Sequence, residues 1–422
     1  MKPSRIWRHA ALVLAGALGM ALPAQAKDCE AKNSATMSEG TYRALDRIHG
    51  MIAEDNYGEA EERLNRMTDR GNKYEKAVVH QTLGFVFIQQ EDYKRGLAAF
   101  EQALAFDALP VIQQEQLQYN TGQLYIADGR YEKGIATLEA YIAETCEPPP
   151  AEAHIQLAAA YAERKQWNKA LEQVNLAIAK AEKPNEQWYQ LKLAIHFELK
   201  QLKACADVLL ILVSLVPDKA EYWKQLQGIF FEIKQDREAL AALSIAHDQK
   251  LLSKESEYKN LASIFMLLDV PLRAAEVLAE GLDKKIVEID KKNLEFLSDA
   301  WLVARELDKA IEAQRRAAQV SGDGEVWMRL AQMLAQEERW GDALEAVDQA
   351  IDRGVSDPGP AYMVKGQSAF GLNRPKTAIA AFNQAKRHEK TRKQASQWID
   401  YVRSEMLAAA ETAAAEDGTA TN

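Results

Sequence analysis

LGFVFIQQEDYKRGLAAFEQALA at residues 83–105 and LAAAYAERKQWNKALEQVNLAIA at 157–179 carry one chemical pattern at one spacing. The first has Leu83-Gly84, Phe87, Tyr93, Gly96, Phe100 and Ala103; the second has Leu157-Ala158, Tyr161, Trp167, Ala170, Val174 and Ala177. Spacings of three and four place such residues on one face of a helix, and the polar EDYK or KQWN between the two halves breaks each stretch into a helix pair. The small residue that opens the second helix recurs along the chain, at Gly96, Gly134, Ala170, Cys205, Ala239, Ala274, Ala310, Ala343 and Ala378. Its steps run from 33 to 38 residues, and a weaker copy at Ala60 lies 36 residues before Gly96. Chance does not hold a phase over so many intervals.

The copies keep their chemistry. One has Trp223, Leu226 and Phe230, then Ala239, Leu243 and Ala246; another has Trp327, Leu330-Ala331 and Leu334, then Trp340, Ala343, Val347 and Ala350. Pro148-Pro149-Pro150, Pro184, Pro217 and Pro358 fall between one pair and the next, where a helix has to stop. Pro271 and Pro375 fall at the starts of second helices, where the missing N–H costs nothing. The pattern resembles the tetratricopeptide repeat (TPR), a helix–turn–helix of ~34 residues. The resemblance implies an all-α fold: a right-handed superhelical solenoid of about ten helical hairpins over residues 41–387. Residues 388–411 read as a C-terminal capping helix, with Trp398, Ile399, Val402 and Met406 toward the last repeat and Lys386, Arg387, Lys390, Arg392 and Lys393 outside. Residues 412–422 read as a disordered tail.

The first 26 residues read as a cleavable export leader. Lys2, Arg5 and Arg8 precede an apolar run from Ala10 to Pro23, and A-Q-A at 24–26 suits cleavage after Ala26. The run is shorter than the ~20 residues that cross a bilayer, so no membrane insertion is expected. Cys29 follows Lys27-Asp28, which does not suit lipoprotein processing. The expected location is the periplasm, with residues 27–40 as an N-terminal arm. Removing the leader takes three basic and no acidic residues from a chain of net charge −10, leaving −13. An acidic surface with no basic tract repels nucleic acid and anionic lipid, so protein partners are expected.

Catalytic signatures are absent. His388-Glu389 is followed by Lys-Thr-Arg, so there is no HExxH pair. Gly371-Leu-Asn-Arg-Pro-Lys376-Thr377 lacks the second glycine of a phosphate loop and follows no strand. His80, His154 and His196 occupy repeat-phased positions of first helices, which packing explains better than ligation. No enzyme, cofactor or metal is expected. Of three cysteines, Cys205 stands where other repeats carry Ala or Gly. Cys29 and Cys146 lie in non-repeat segments and are the candidate disulfide pair. The residues from Cys29 to Thr41 can reach about 35 Å when extended, far enough to pass two or three hairpins.

The TPR resemblance further implies a concave groove lined by first helices that holds peptides or domains. Some relatives clamp a terminal carboxylate with Lys and Asn from three consecutive hairpins; Lys224, Asn260 and Lys292 fall on matching positions, while Gly228 and Phe296 stand at two other clamp positions. Further groove candidates are Tyr119, Asn120, Gln123, Phe231 and Met266. NLASIFMLLDVPLRAAEVLAEGL at 260–282, KNLEFLSDAWLVARELDKAI at 292–311 and HEKTRKQASQWIDYV at 388–402 resemble periplasmic TPR proteins encoded beside TonB–ExbB–ExbD energy-transduction systems. That resemblance implies an accessory of TonB-dependent iron-chelate uptake, docking a TonB, ExbB or ExbD component. The alternative is a scaffold or assembly factor for outer-membrane, peptidoglycan or secretion machinery.

Overall fold

The computed structural model describes residues 36–419, with side chains described as far as Ala409. The expectations placed on the leader, on the arm before residue 36 and on Cys29 lie outside the described residues. Within them the structure is helical throughout, with no β-strand.

Ten hairpins follow one another. The first five are α1 (Glu39–Ala53) with α2 (Tyr57–Asn65), α3 (Lys73–Gln89) with α4 (Tyr93–Ala105), α5 (Val111–Ala127) with α6 (Tyr131–Glu144), α7 (Ala151–Glu163) with α8 (Trp167–Lys180), and α9 (Glu186–Glu198) with α10 (Leu202–Leu215). The second five are α11 (Ala220–Glu232) with α12 (Asp236–Asp248), α13 (Glu255–Leu267) with α14 (Pro271–Asp283), α15 (Lys291–Val303) with α16 (Leu307–Ser321), α17 (Gly324–Gln336) with α18 (Trp340–Arg353), and α19 (Pro358–Gly371) with α20 (Pro375–Ala385). A single helix, α21 (Arg392–Thr419), ends the series. The chain divides into two compact units, one up to Val208 and one from Leu209. Within each unit a helix packs on its neighbours in sequence.

The small residue of the repeat marks where the two helices of a hairpin approach. Ala60, Ala170, Cys205, Ala239, Ala274, Ala310, Ala343 and Ala378 have no exposed surface, and Gly96 and Gly134 are buried too. A Cβ added at Gly134 would lie 2.6 Å from Ile126 Cγ1 and 3.2 Å from the Gly122 carbonyl oxygen. At Gly134 the facing helix leaves no room even for a methyl group, and elsewhere the position holds only Ala, Gly or Cys.

Five residues before every small residue stands a residue in the left-handed region: Asp55, Glu91, Gly129, Lys165, Lys200, Lys234, Asp269, Arg305, Glu338 and Asn373, with φ between 55° and 77°. It ends the first helix, and the amide after it donates to the carbonyl five residues back, as in Asp92 N–H to Phe87 O and Gln235 N–H to Phe230 O, both 2.8 Å. This is the Schellman closure, which satisfies the carbonyls that a helix end leaves open. Only one of the ten turn residues is glycine. The rest are charged or Asn, exposed side chains that tolerate the conformation at some cost.

In five hairpins a cation four residues after the turn lies over the ring four residues before it: Arg95 over Phe87 (4.3 Å), Lys133 over Tyr125 (5.2 Å), Lys169 over Tyr161 (5.1 Å), Arg273 over Phe265 (6.0 Å) and Lys309 over Trp301 (4.5 Å). The hairpins with Met51, His196, Leu334 or Ala369 at that position carry Glu, Ala, Asp and Thr opposite, and hairpin six has Phe230 there but Glu238 opposite. The pairing fastens the turn end of the hairpin.

The N-terminal end is tied down by a buried carboxylate. Glu75 Oε1 accepts from the Ser38 hydroxyl (2.6 Å) and the Ser38 amide (3.0 Å), and Oε2 from the Asn72 amide (2.7 Å). These bonds, the Ser38 hydroxyl first, hold its pKa down to about 2. At the other end Ile399 and Val402 are buried and Trp398 stacks on Phe382 (centroids 5.4 Å apart), whereas Met406 is 36% exposed. Met406 therefore does not join the cap contact. The helix runs on to Thr419, through the stretch read as tail, in keeping with the high helix propensity of its alanines.

Ala239→Leu or Ala310→Leu is expected to destabilise its unit by about 1–3 kcal/mol, because neither helix can yield to an isobutyl group. Ala241→Leu, on the exposed face of the same α12, is the control. Equal urea midpoints for the three variants would contradict the packing described. Lys165→Gly is expected to raise stability by about 0.5–1 kcal/mol, and Gly129→Ala to lower it by about 1 kcal/mol. Thermal unfolding followed by circular dichroism reads both signs.

Candidate partner-binding surface

The turn residue gives every first helix a common register. Positions twelve, eleven, eight, five and four before it point into the hairpin, as Tyr222, Trp223, Leu226, Ile229 and Phe230 do in α11. Positions thirteen, nine, six and three or two before it form the opposite stripe. In α11 and α13 of the second unit that stripe is mostly exposed, in α15 it is exposed at its two ends, and all three carry apolar groups at the turn end. Phe231 is 44% exposed, Leu267 60%, Leu302 37% and Val303 55%, with Met266 half-buried beside Leu267. Water-facing groups of that size on three consecutive hairpins are not required by packing.

Lys224, Asn260 and Lys292 do lie on α11, α13 and α15. Their environments differ. Lys224 is half-buried, with Nζ 3.0 Å from Glu221 Oε2 and 3.3 Å from Glu257 Oε1. Glu257 is buried at the start of α13, where Oε2 accepts from the Ser253 amide (2.8 Å) and the Lys254 amide (3.0 Å). Burial pushes the Glu257 pKa up, but those two amides and Lys224 bring it below the ordinary carboxylate value. The hydrogen bond to Glu221, with the Glu257 contact behind it, raises that of Lys224. Lys224 thus links hairpin six to hairpin seven, and its charge is already matched. Asn260 and Lys292 are exposed and make no side-chain hydrogen bond among the described residues.

Tyr119, Asn120 and Gln123 lie on α5, in the other unit, and all three are half-buried. Tyr119 sits against Tyr141 (centroids 5.1 Å apart); burial pushes its hydroxyl up to about 12, opposed by a hydrogen bond with Gln123. Asn120 Oδ1 accepts from Gln116 Nε2 (3.0 Å). These residues are engaged in packing and in local hydrogen bonds. Cys146 follows α6, with its amide donating to Glu115 Oε1 (2.9 Å); its proposed partner Cys29 is outside the described residues. Cys205 is a free, fully buried thiol, as its place in the small-residue series requires.

Leu267, Leu302 and Val303 were not singled out from the sequence. Their signal is there, since Leu302 repeats the register of Phe231 and Met266 and Leu267 and Val303 stand one residue on, but it emerges only once the turn residue fixes the phase. Among the described residues no helix is long and apolar enough to cross a membrane, and no His/Cys/Asp/Glu group could hold a metal ion.

Residues 82–145, 119–186 and 328–392 match the sequence profile described as tetratricopeptide repeat. No curated protein matches the chain. Among solved structures, a tetratricopeptide repeat protein from Parabacteroides merdae is similar over 62% of this chain and 99% of its own, with 14% identity and a TM-score of 0.38. YrrB, described as a TPR protein with an unusual peptide-binding site, covers 44% of this chain and 91% of its own (14% identity, TM-score 0.36). MamA from Desulfovibrio magneticus covers 40% and 93% (19% identity, TM-score 0.30). The chain carries tetratricopeptide repeats in a helical-hairpin solenoid. Repeats of this kind are scaffolds that bind protein or peptide partners.

Lys224→Met is expected to destabilise the second unit by about 1–3 kcal/mol at neutral pH, since it leaves the Glu257 carboxylate buried without its cation. The Glu257 pKa is lowered in the folded state, so its contribution is present above the unfolded carboxylate value and is lost as pH falls through the folded one. The gap between Lys224→Met and the parent therefore closes as pH falls below the ordinary carboxylate range. Urea titrations across that range check the direction.

Proposed function

We propose that this protein is a periplasmic binding scaffold that holds a protein partner along the exposed stripe of α11, α13 and α15. The observation that carries the reading is the run of exposed Phe231, Leu267, Leu302 and Val303 on consecutive first helices, beside unpaired Asn260 and Lys292. Apolar groups supply contact area, and Asn260 and Lys292 supply donors for a carboxylate or a backbone carbonyl. Lys224 contributes by holding hairpins six and seven in place. Export through the leader cut after Ala26, and service to a TonB-type system in iron-chelate uptake, belong to the same proposal; the wording of residues 260–282, 292–311 and 388–402 supports the second.

A photo-crosslinking amino acid at Leu267 or Lys292, introduced in native cells, is expected to trap TonB, ExbB or ExbD. The same group at exposed Lys203 on α10 should not. Crosslinks to peptidoglycan or secretion proteins would move the scaffold to that machinery. Equal crosslinking from Leu267 and Lys203 would overturn the stripe as the docking surface. N-terminal sequencing of the periplasmic fraction should begin at Lys27, and recovery of the protein only in the cytoplasm would end the export reading.

A further inference from the structure

The position eleven residues before the turn carries a ring in seven of the ten hairpins, among them His80, Trp223, Tyr258, Trp327 and Tyr362. In hairpin three it is Gln118. A cleft of about 440 Å³ opens there between the end of α4, the start of α5 and the second half of α6. The facing side of α6 is small, with Ala136, Thr137 and Ala140, so nothing replaces the missing ring. A second cleft of about 340 Å³ lies in hairpin one, where the same position is Ala44. The two openings share this cause.

The chemistry of the hairpin-three cleft is that of an acceptor. Gln114 Nε2 donates to Asp107 Oδ1 (3.1 Å). A carboxylate only accepts, so the amide orientation is settled and Oε1 is left as the free atom. That oxygen has no accessible surface, so it lies behind the wall and is not open to the cleft. Glu144 stands exposed on the same wall with no ion pair among them, and Gln118 and Thr137 add further oxygens. No basic side chain lines the cleft, and the whole chain carries a charge of −10.

We propose that this cleft is a socket for an arginine side chain of a basic partner segment. A guanidinium is flat and carries five donors, so it fits a slot left by an absent ring and meets acceptors on more than one side. The carboxylate of Glu144 matches its charge, and Gln118 and Thr137 offer acceptors on the α5 and α6 walls. The socket is independent of the stripe on α11, α13 and α15, so either can fail without the other.

The probe is a short fluorescein-labelled Gly-Ser peptide with spaced arginines, beside the same peptide with citrulline in their place. Binding to the mature full chain is read by fluorescence anisotropy. The arginine peptide should bind and the citrulline peptide should not. Gln118→Trp, which restores the ring of the other hairpins, should weaken binding by about tenfold, as loss of charge-assisted hydrogen bonds does, while keeping or raising the thermal midpoint. Glu144→Gln should weaken it by a smaller factor, and Glu163→Gln, a matched loss of charge at an exposed site on α7, should leave it unchanged. Absence of arginine-peptide binding, equal binding of the citrulline peptide, or unaltered binding to Gln118→Trp would each overturn the socket. Equal effects of Glu144→Gln and Glu163→Gln would reduce it to general attraction by an acidic surface.

Discussion

The close contact between the two helices of each hairpin, made at a residue with at most a small side chain, is the constraint on which the rest depends. It brings the helix backbones together at Gly96, Ala239 or Ala310 and so determines which faces remain to meet the next hairpin. A hairpin of this size cannot bury its own apolar face; stability comes from stacking, repeat upon repeat. The ends then need separate solutions. At the N-terminus Glu75 gathers the Ser38 and Asn72 amides, and at the C-terminus α21 covers the last repeat with Ile399, Val402 and the Trp398 ring.

The turn that closes the contact is built to one plan from varied residues. A left-handed residue lies five before the small one in all ten hairpins, and nine of the ten are not glycine. The conformational cost is offset locally by the Schellman hydrogen bond and, in five hairpins, by a cation over a ring. Because all these partners lie within nine residues of one another in sequence, each turn can close without help from distant parts of the chain. Lys165 or Arg305 there also keeps an exposed turn charged and hydrated.

The proposed binding surface and the structural core share the first helices, and the division between them is fine. One residue's difference in register separates Lys224, which bridges to buried Glu257, from the exposed position of Asn260 one hairpin on. A charge on such a helix is therefore not by itself a ligand-binding charge. The same holds for cavities. A ring eleven residues before the turn is packing in hairpin six, while Gln118 at that position in hairpin three leaves an open cleft.

Much of the architecture is legible in the sequence because it depends on local period. The phase of the small residues, the proline positions and the three-and-four spacing of large apolar groups determine helix, turn and hairpin, and each is a property of a stretch shorter than forty residues. The left-handed turn residues escaped that reading, since Asp, Glu, Lys and Arg there have no shared side-chain signature. What only the tertiary structure decided is which side chains meet across hairpins: the bridge from Lys224 to Glu257, the exposure of Leu267 and Val303, the withdrawal of Met406 from the cap contact, the cleft beside Gln118. The physical reason is that helical periodicity sorts residues into faces, but the neighbour each face meets, and whether that neighbour fills it, is set by packing between separate repeats.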